Sequence, residues 1–370
     1  MAHILVIGDP NDLHTQQKVH FLVSRGHHIR LLCTAEERLK LPQDSLLLPF
    51  ICDHPLPYFS WKNMLLGRNK LSVLLHAITA HSCDLLLILY AEPHVGWAYY
   101  GRTIQIPIAV FCYGTDALVT LPRITQTGVQ GMIRKSLFRK AMQHVSLLLA
   151  NSEAQLQGIS HLLPQSINAH VVRIGAQCDA LDQYISEKAE RPIPQPYILF
   201  PRMMQPIYHH EASIQAIRML PDEVRSAYTF VFIDKDGDNH AYIADIQAAM
   251  EADPSAAFLW LPRLSKHSLW QYIQHAALCV QHPSSDGSAV TALETMYLGT
   301  PLLLGPADYD KALFESVSRT QIVPADIAKN KMQLLQQQNT QDYRTLIRSN
   351  ADEGAKSIEM ERLLLGLIRK

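Results

Sequence analysis

Two carboxylates stand where they could act on a charged ligand. In the stretch QHPSSDGSAVTALETMYLGTPLLLG, residues 281–305, Asp286 and Glu294 are eight positions apart. A loop of small polar residues, Pro283 to Ser288, leads into the helix formers Ala292, Leu293, Glu294 and Met296, and Gly299 and Pro301 then end the helix. A helix starting near Ser288 would offer the backbone N–H groups of Gly287, Ser288 and Ala289, and the positive end of its dipole, to a phosphate. Gly287 lets a diphosphate come close to the backbone. If helical throughout, the spacing puts the carboxylates about 12 Å apart, roughly the span from a sugar ring to a ribose across a diphosphate. Glycoside hydrolysis needs its two carboxylates about 5 to 9.5 Å apart. The spacing therefore favours a sugar nucleotide over hydrolysis.

Other chemistries find less support. Neither a Walker sequence nor GxGxxG occurs, so P-loop phosphoryl transfer and the dinucleotide fingerprint are not indicated. The adjacent pairs His27/His28 and His209/His210 point apart on any regular element rather than converging on one ion. No metal site and no cofactor are expected.

The elements that must position these residues alternate along the chain. HILVIG (3–8), a helix from His14 to Arg25 and HIRLLC (28–33) form a βαβ unit. Further strands are expected at 45–50, 84–90, 106–114, 145–152 and 169–175. A second series is expected at 197–201, 228–233, 256–260, 277–281 and 301–304, with helices near 209–219, 240–251, 266–275 and 288–298. The reading is α/β, two doubly wound Rossmann-like domains with a central cleft between them. The prolines of ERPIPQPYILF (190–200) mark the linker. The domains are thus 1–188, joined by a C-terminal helix at 352–370, and 189–351.

Bulk properties narrow the partners. The chain has 370 residues, 48% hydrophobic and 18% charged, enough for two cores. With 33 basic against 34 acidic side chains it lacks the positive surface of a general nucleic-acid binder. Six scattered cysteines, an N-terminus without a signal-peptide pattern and no apolar run of about 18 residues suggest a cytoplasmic protein. The basic segment MIRKSLFRKAM (132–142) has two readings, peripheral docking on a membrane surface or a solvated helix face, and the second is the simpler.

With these residues in view, the chain resembles the retaining GT-B glycosyltransferases of family 4, and within them a subgroup with PR…PIY and DG…LE motifs. DGSAVTALETMYLGTP carries the acidic signature. GDPNDLHTQQKVHFLVSRGHHIRLL, CYGTD (112–116), ANSEA (150–154), RIGAQCD (173–179) and PRMMQPIYHH (201–210) follow the family order.

The resemblance implies a GT-B fold and a metal-independent transfer of a hexosyl group, with retention, from a nucleotide-sugar donor to a saccharide or lipid-linked acceptor. The setting it implies is surface glycan or polysaccharide assembly. By the same resemblance Arg202 neutralises the leaving diphosphate with the amides of Gly287, Ser288 and Ala289. Asp286 holds hydroxyls of the transferred sugar, Glu294 the ribose, and Arg263 and Leu264 frame the base. Asp116, counted with the catalytic residues, lines the acceptor side with Asp9, His14 and Tyr113. Two departures stand out: Ile207 occupies the place of a lysine five residues after the arginine, and Tyr113 that of a His or Trp. They keep open an alternative, a catalytically weak homologue that binds glycan or serves as a scaffold subunit of a transferase complex.

Overall fold

The computed structural model describes residues 1–60, 62, 71–114, 116–126, 128–286, 289–307, 309–315, 317 and 343–369. The chain divides into two compact units, Met1–Arg173 with Gly354–Lys370, and Ile174–Glu353. Each is a doubly wound parallel sheet.

In the first unit, β1 (His3–Ile7), β2 (His28–Leu32), β3 (Leu85–Leu89), β4 (Ile108–Cys112), β5 (Leu147–Ala150) and β6 (Ala169–Val171) lie in the order β2-β1-β3-β4-β5-β6. The central strands read LLLIL and IAVFC and are buried throughout, because helices on both faces of a parallel sheet leave no solvated side. In the second unit, β7 (Tyr197–Phe200), β8 (Thr229–Phe232), β9 (Ala257–Trp260), β10 (Leu278–Gln281) and β11 (Leu302–Leu304) lie in the order β11-β10-β7-β8-β9. Strand order reverses between β1 and β3 in one sheet and between β7 and β10 in the other. Open α/β sheets bind ligands at such points, beyond the carboxyl ends of the strands.

Three expectations are corrected. Residues 45–50 form no strand: Pro49 sits in a single 3-10 turn, Leu48–Phe50, and Leu46 and Leu48 are exposed. Only Ile51 reaches the sheet, as one bridge to Leu31; a proline without an N–H, following two solvent-facing leucines, leaves the segment with neither the donor nor the buried face a strand needs.

The unit boundary lies at 173/174 and not at 188/189, so the proline-rich segment 190–196 falls inside the second unit. The helix Cys178–Ser186 explains the shift, since it packs Leu181 and Tyr184 into the second core with Tyr197, Leu293 and Tyr297. The two chain crossings run side by side: the Ala176 N–H donates to Ala351 O and the Glu353 N–H to Ala176 O, both at 2.9 Å. Gly175 is needed there, because a Cβ would stand 2.0 Å from Ala351 O.

The helix expected from Ser288 begins at Val290. All six cysteines are buried and free. Among the described residues no helix is long and apolar enough to cross a membrane.

Candidate active site

The second unit's switch point is built from the loops after β7 and β10. Pro201 ends β7 and turns Arg202 to the sheet's carboxyl edge, where its side chain is 16% exposed. Its Nη2 lies 3.0 Å from Asp286 Oδ2 and donates to the Tyr208 hydroxyl at 2.6 Å, with the guanidinium 4.3 Å over the Tyr208 ring. Burial works against the charge, but Asp286 and Tyr208 outweigh it and raise the pKa, so Arg202 stays cationic. Among the described residues both polar contacts use Nη2; Nη1 and Nε carry the remaining donors.

The PIY turn, Pro206–Tyr208, is clamped to the β10 loop by the Ser284 N–H, which donates to Ile207 O at 2.8 Å. Ile207, where a lysine was expected, thus supplies a backbone acceptor. His210 braces this frame from behind, its Nε2–H donating to Arg202 O at 3.3 Å; burial lowers its pKa to about 4, so it is neutral.

Asp286 lies on the loop, 16% exposed, and its Oδ1 accepts the Ala289 N–H at 2.8 Å. That bond corrects one expectation: Ala289, in a left-handed conformation with φ 34°, does not offer a free amide to a phosphate. Gly287 and Ser288 lie outside the described residues. The helical spacing assumed between the two carboxylates also does not hold, because the helix starts only at Val290.

Glu294, in the second turn, is fully buried and pairs with Lys266 Nζ at 2.6 Å. Burial raises its pKa, while Lys266, Trp270 and Arg202 draw it back. Arg263 is largely exposed, 3.7 Å from Asp234 Oδ1, and Leu264 is half-buried against the core. Asp234 also accepts the Met204 N–H at 3.1 Å, tying the loops after β7, β8 and β9 together. With Asp236 it forms an Asp-x-Asp pair. Among the described residues no three His, Cys, Asp or Glu side chains are grouped to hold a metal ion.

Lys266, Tyr208 and Asp234 were not foreseen as site residues. The signal for Lys266 was a lysine opening a helix, where the dipole disfavours it unless an anion is near.

In the first unit, Asp9 Oδ1 accepts from the Asn11 backbone and side chain, shaping the GDPND loop. Asp12 caps the helix Leu13–Ser24 and accepts the Tyr90 hydroxyl at 2.8 Å, bridging the β1/β3 switch point. His14, two residues after that cap, stacks its ring on Tyr113 at 5.2 Å and 12°. Tyr113 is buried against Tyr90 and Phe111.

Asp116 is 4% exposed, its oxygens taken by the N–H groups of Ala91 (2.7 Å) and Ala117 (2.8 Å). Burial pushes its pKa up to about 7. It ties the loops after β3 and β4 and presents no exposed carboxylate. In the basic helix Gly128–Met142, Leu137, Phe138 and Ala141 face the core, while Val129, Met132 and Ile133 are exposed beside Arg134.

Comparisons with known proteins bear on the fold and on one segment of the chain. No curated protein matches the chain in sequence. Solved structures align over its whole length at low identity. HepE from Anabaena in complex with UDP has a TM-score of 0.72 and 13% identity, covering 99% of this chain and 100% of that one. A glycosyltransferase from Rickettsia africae has 0.72 and 11%, covering 100% and 99%. Sucrose-phosphate synthase from Thermosynechococcus elongatus has 0.69 and 13%, covering 100% of both. Residues 183–313, which hold Arg202, Arg263, Lys266, Asp286 and Glu294, match the family model of glycosyl transferases group 1. The chain has the GT-B fold, and residues 183–313 of it are similar to glycosyl transferases group 1.

Proposed function

We propose that this protein transfers a hexosyl group from a nucleotide-sugar donor to a saccharide or lipid-linked acceptor, with retention and without a metal ion. One observation carries the reading: Arg202 pairs with Asp286 at the switch point of the sheet, and buried Glu294 lies on the helix that follows the same loop, within the segment that matches glycosyl transferases group 1. The nucleotides bound by HepE, UDP and UDP-glucose, support a ligand of that class.

In this reading the free donors on Arg202 take the diphosphate and stabilise it as the sugar C1–O bond breaks. The acceptor hydroxyl attacks C1 from the same face and passes its proton to the departing phosphate oxygen. Glu294 accepts from the ribose. Asp286 has two of about four carboxylate acceptor sites engaged and keeps the others for sugar hydroxyls. Arg263 and Leu264 frame the base. The first unit's cluster of Asp9, Asp12, His14, Tyr90 and Tyr113 receives the acceptor, with Asp116 holding its loops. Surface glycan assembly is the setting proposed, and the exposed Val129, Met132 and Ile133 beside Arg134 give the protein a peripheral contact with anionic membrane.

Incubation with a panel of nucleotide sugars and lipid or saccharide acceptors, with and without excess chelator, tests this. The expected result is nucleoside diphosphate release coupled to glycosylated product, unchanged by chelation. Turnover lost with chelator and restored by Mg²⁺ or Mn²⁺ would overturn metal independence. Nucleotide binding without turnover on any acceptor would favour a scaffold subunit.

A further inference from the structure

We propose that Lys266 is a positioning residue of the ribose subsite, its ammonium pinning Glu294 as a carboxylate so that both oxygens accept from ribose hydroxyls. The inference rests on the ribose role given to Glu294 above.

Lys266 is the first residue of the ten-residue helix Lys266–His275, capped by Ser265, whose side chain accepts the Ser268 N–H. A cation at a helix N-terminus opposes the dipole, so the position needs an anion to offset it. Glu294 supplies that anion at 2.6 Å. The pair is lopsided: the Lys266 side chain is 44% exposed and that of Glu294 is 0% exposed. Besides Lys266, the Trp270 side chain favours the Glu294 carboxylate as a neutral donor, and Lys266 is the partner that brings a charge to it. A fully buried, solitary carboxylate takes up a proton rather than stay charged. Once protonated, it turns one acceptor oxygen into a donor and no longer receives two hydroxyls.

Other ionisable groups on the elements packed around the Glu294 helix are committed elsewhere. Arg344 donates to Tyr297 O, and Arg348 pairs with Asp179 and Asp182. His267 pairs with Glu187, and His275 contacts Ala189 O. Arg202 acts on Glu294 at longer range and is held by Asp286. Lys266 is left as the direct counter-charge.

Burial raises the folded pKa of Glu294 above its unfolded value. Such a group favours the fold most below the unfolded pKa, and that contribution is lost as pH rises towards the folded pKa. Removing Lys266 pushes the folded pKa higher and widens this window upwards.

The test compares wild type, Lys266→Met, Lys266→Arg, Glu294→Gln and the Lys266→Met/Glu294→Gln double variant. Thermal melts without ligand from pH 5 to 8.5 should show the gap between wild type and Lys266→Met widening as pH rises. The gap should not widen on the Glu294→Gln background, and Lys266→Arg should stay close to wild type. In calorimetry with whichever nucleoside diphosphate the wild type binds most tightly, Lys266→Met should lose affinity by about tenfold per pH unit below the new pKa. Wild type should show that loss only at lower pH, because Lys266 holds the Glu294 pKa below that of the variant. A melting gap independent of pH, or an equal widening without Glu294, overturns the inference while leaving the function standing. A wild type that binds no nucleoside diphosphate removes the ribose reading and this inference with it; the melts then report only a structural ion pair.

Discussion

Replacing Arg202 by lysine keeps one positive charge but removes the planar fork. Among the described residues a single nitrogen, Nη2, serves both Tyr208 at 2.6 Å and Asp286 at 3.0 Å, and no polar contact engages the other donors. A lysine ammonium is one point charge and cannot hold Asp286 and a phosphate oxygen in that divided geometry. It also forfeits the stack on Tyr208, 4.3 Å from the ring, worth about 0.5 to 2 kcal/mol. With both ionic side chains only 16% exposed, solvent screens little of the loss. One charge-assisted bond to the ligand, about 1.5 to 3 kcal/mol, then disappears, which converts to about 10- to 150-fold weaker binding. Calorimetry of nucleoside diphosphates on wild type and Arg202→Lys reads this directly, with a thermal melt to confirm folding. An affinity within about twofold of wild type, where a tenfold change is 1.4 kcal/mol, would refute the assignment of Arg202 to the diphosphate.

Four further outcomes are expected. Gly175→Ala drives a Cβ to 2.0 Å from Ala351 O where the two crossings pair, and should cost about 1 to 3 kcal/mol of stability. Gly366→Ala, with open space around its Cβ and a helical setting, should be neutral or stabilising in the same melts. Asp116 has its folded pKa raised to about 7 from 3.8 by burial, so its contribution to stability is greatest below pH 4 and is lost as pH climbs towards 7. Asp116→Asn should flatten that slope, at a pH-independent cost of about 1 to 3 kcal/mol for the amide it leaves unpaired; an unchanged slope would contradict the buried-tie role. Finally, co-sedimentation with anionic vesicles should fall when Met132 and Ile133, both exposed, are changed to serine, and should be weak on neutral vesicles; equal binding on both would count against the membrane contact.

The strand runs were legible in the sequence because parallel strands covered on both faces must be apolar throughout, as LLLIL and IAVFC are. The motif around Asp286 and Glu294 was legible because loop, helix formers and a Gly stop occur in order; Gly299 does close the helix in the left-handed conformation. What escaped was set by contacts distant in sequence. SLLLPF has a strand's composition, yet Leu46 and Leu48 find no partner face.

The prolines at 192 to 196 looked like a boundary, while the decisive packing was Tyr184 and Leu181 against Tyr197 and Leu293. Lys266 lies 28 positions before Glu294, and only the fold brings them to 2.6 Å. Asp116 was legible as a polar residue at a strand end, but not as a buried tie, because its partner Ala91 follows a different strand.

The central claim is that a nucleoside diphosphate binds at the β7/β10 switch point. Diffraction from crystals grown with the tightest-binding nucleoside diphosphate tests it most directly. The account predicts the diphosphate within hydrogen-bond distance of Arg202 Nη1 or Nε and the ribose hydroxyls on Glu294. Density for the nucleotide at any other site, with Arg202 and Glu294 untouched, would contradict it.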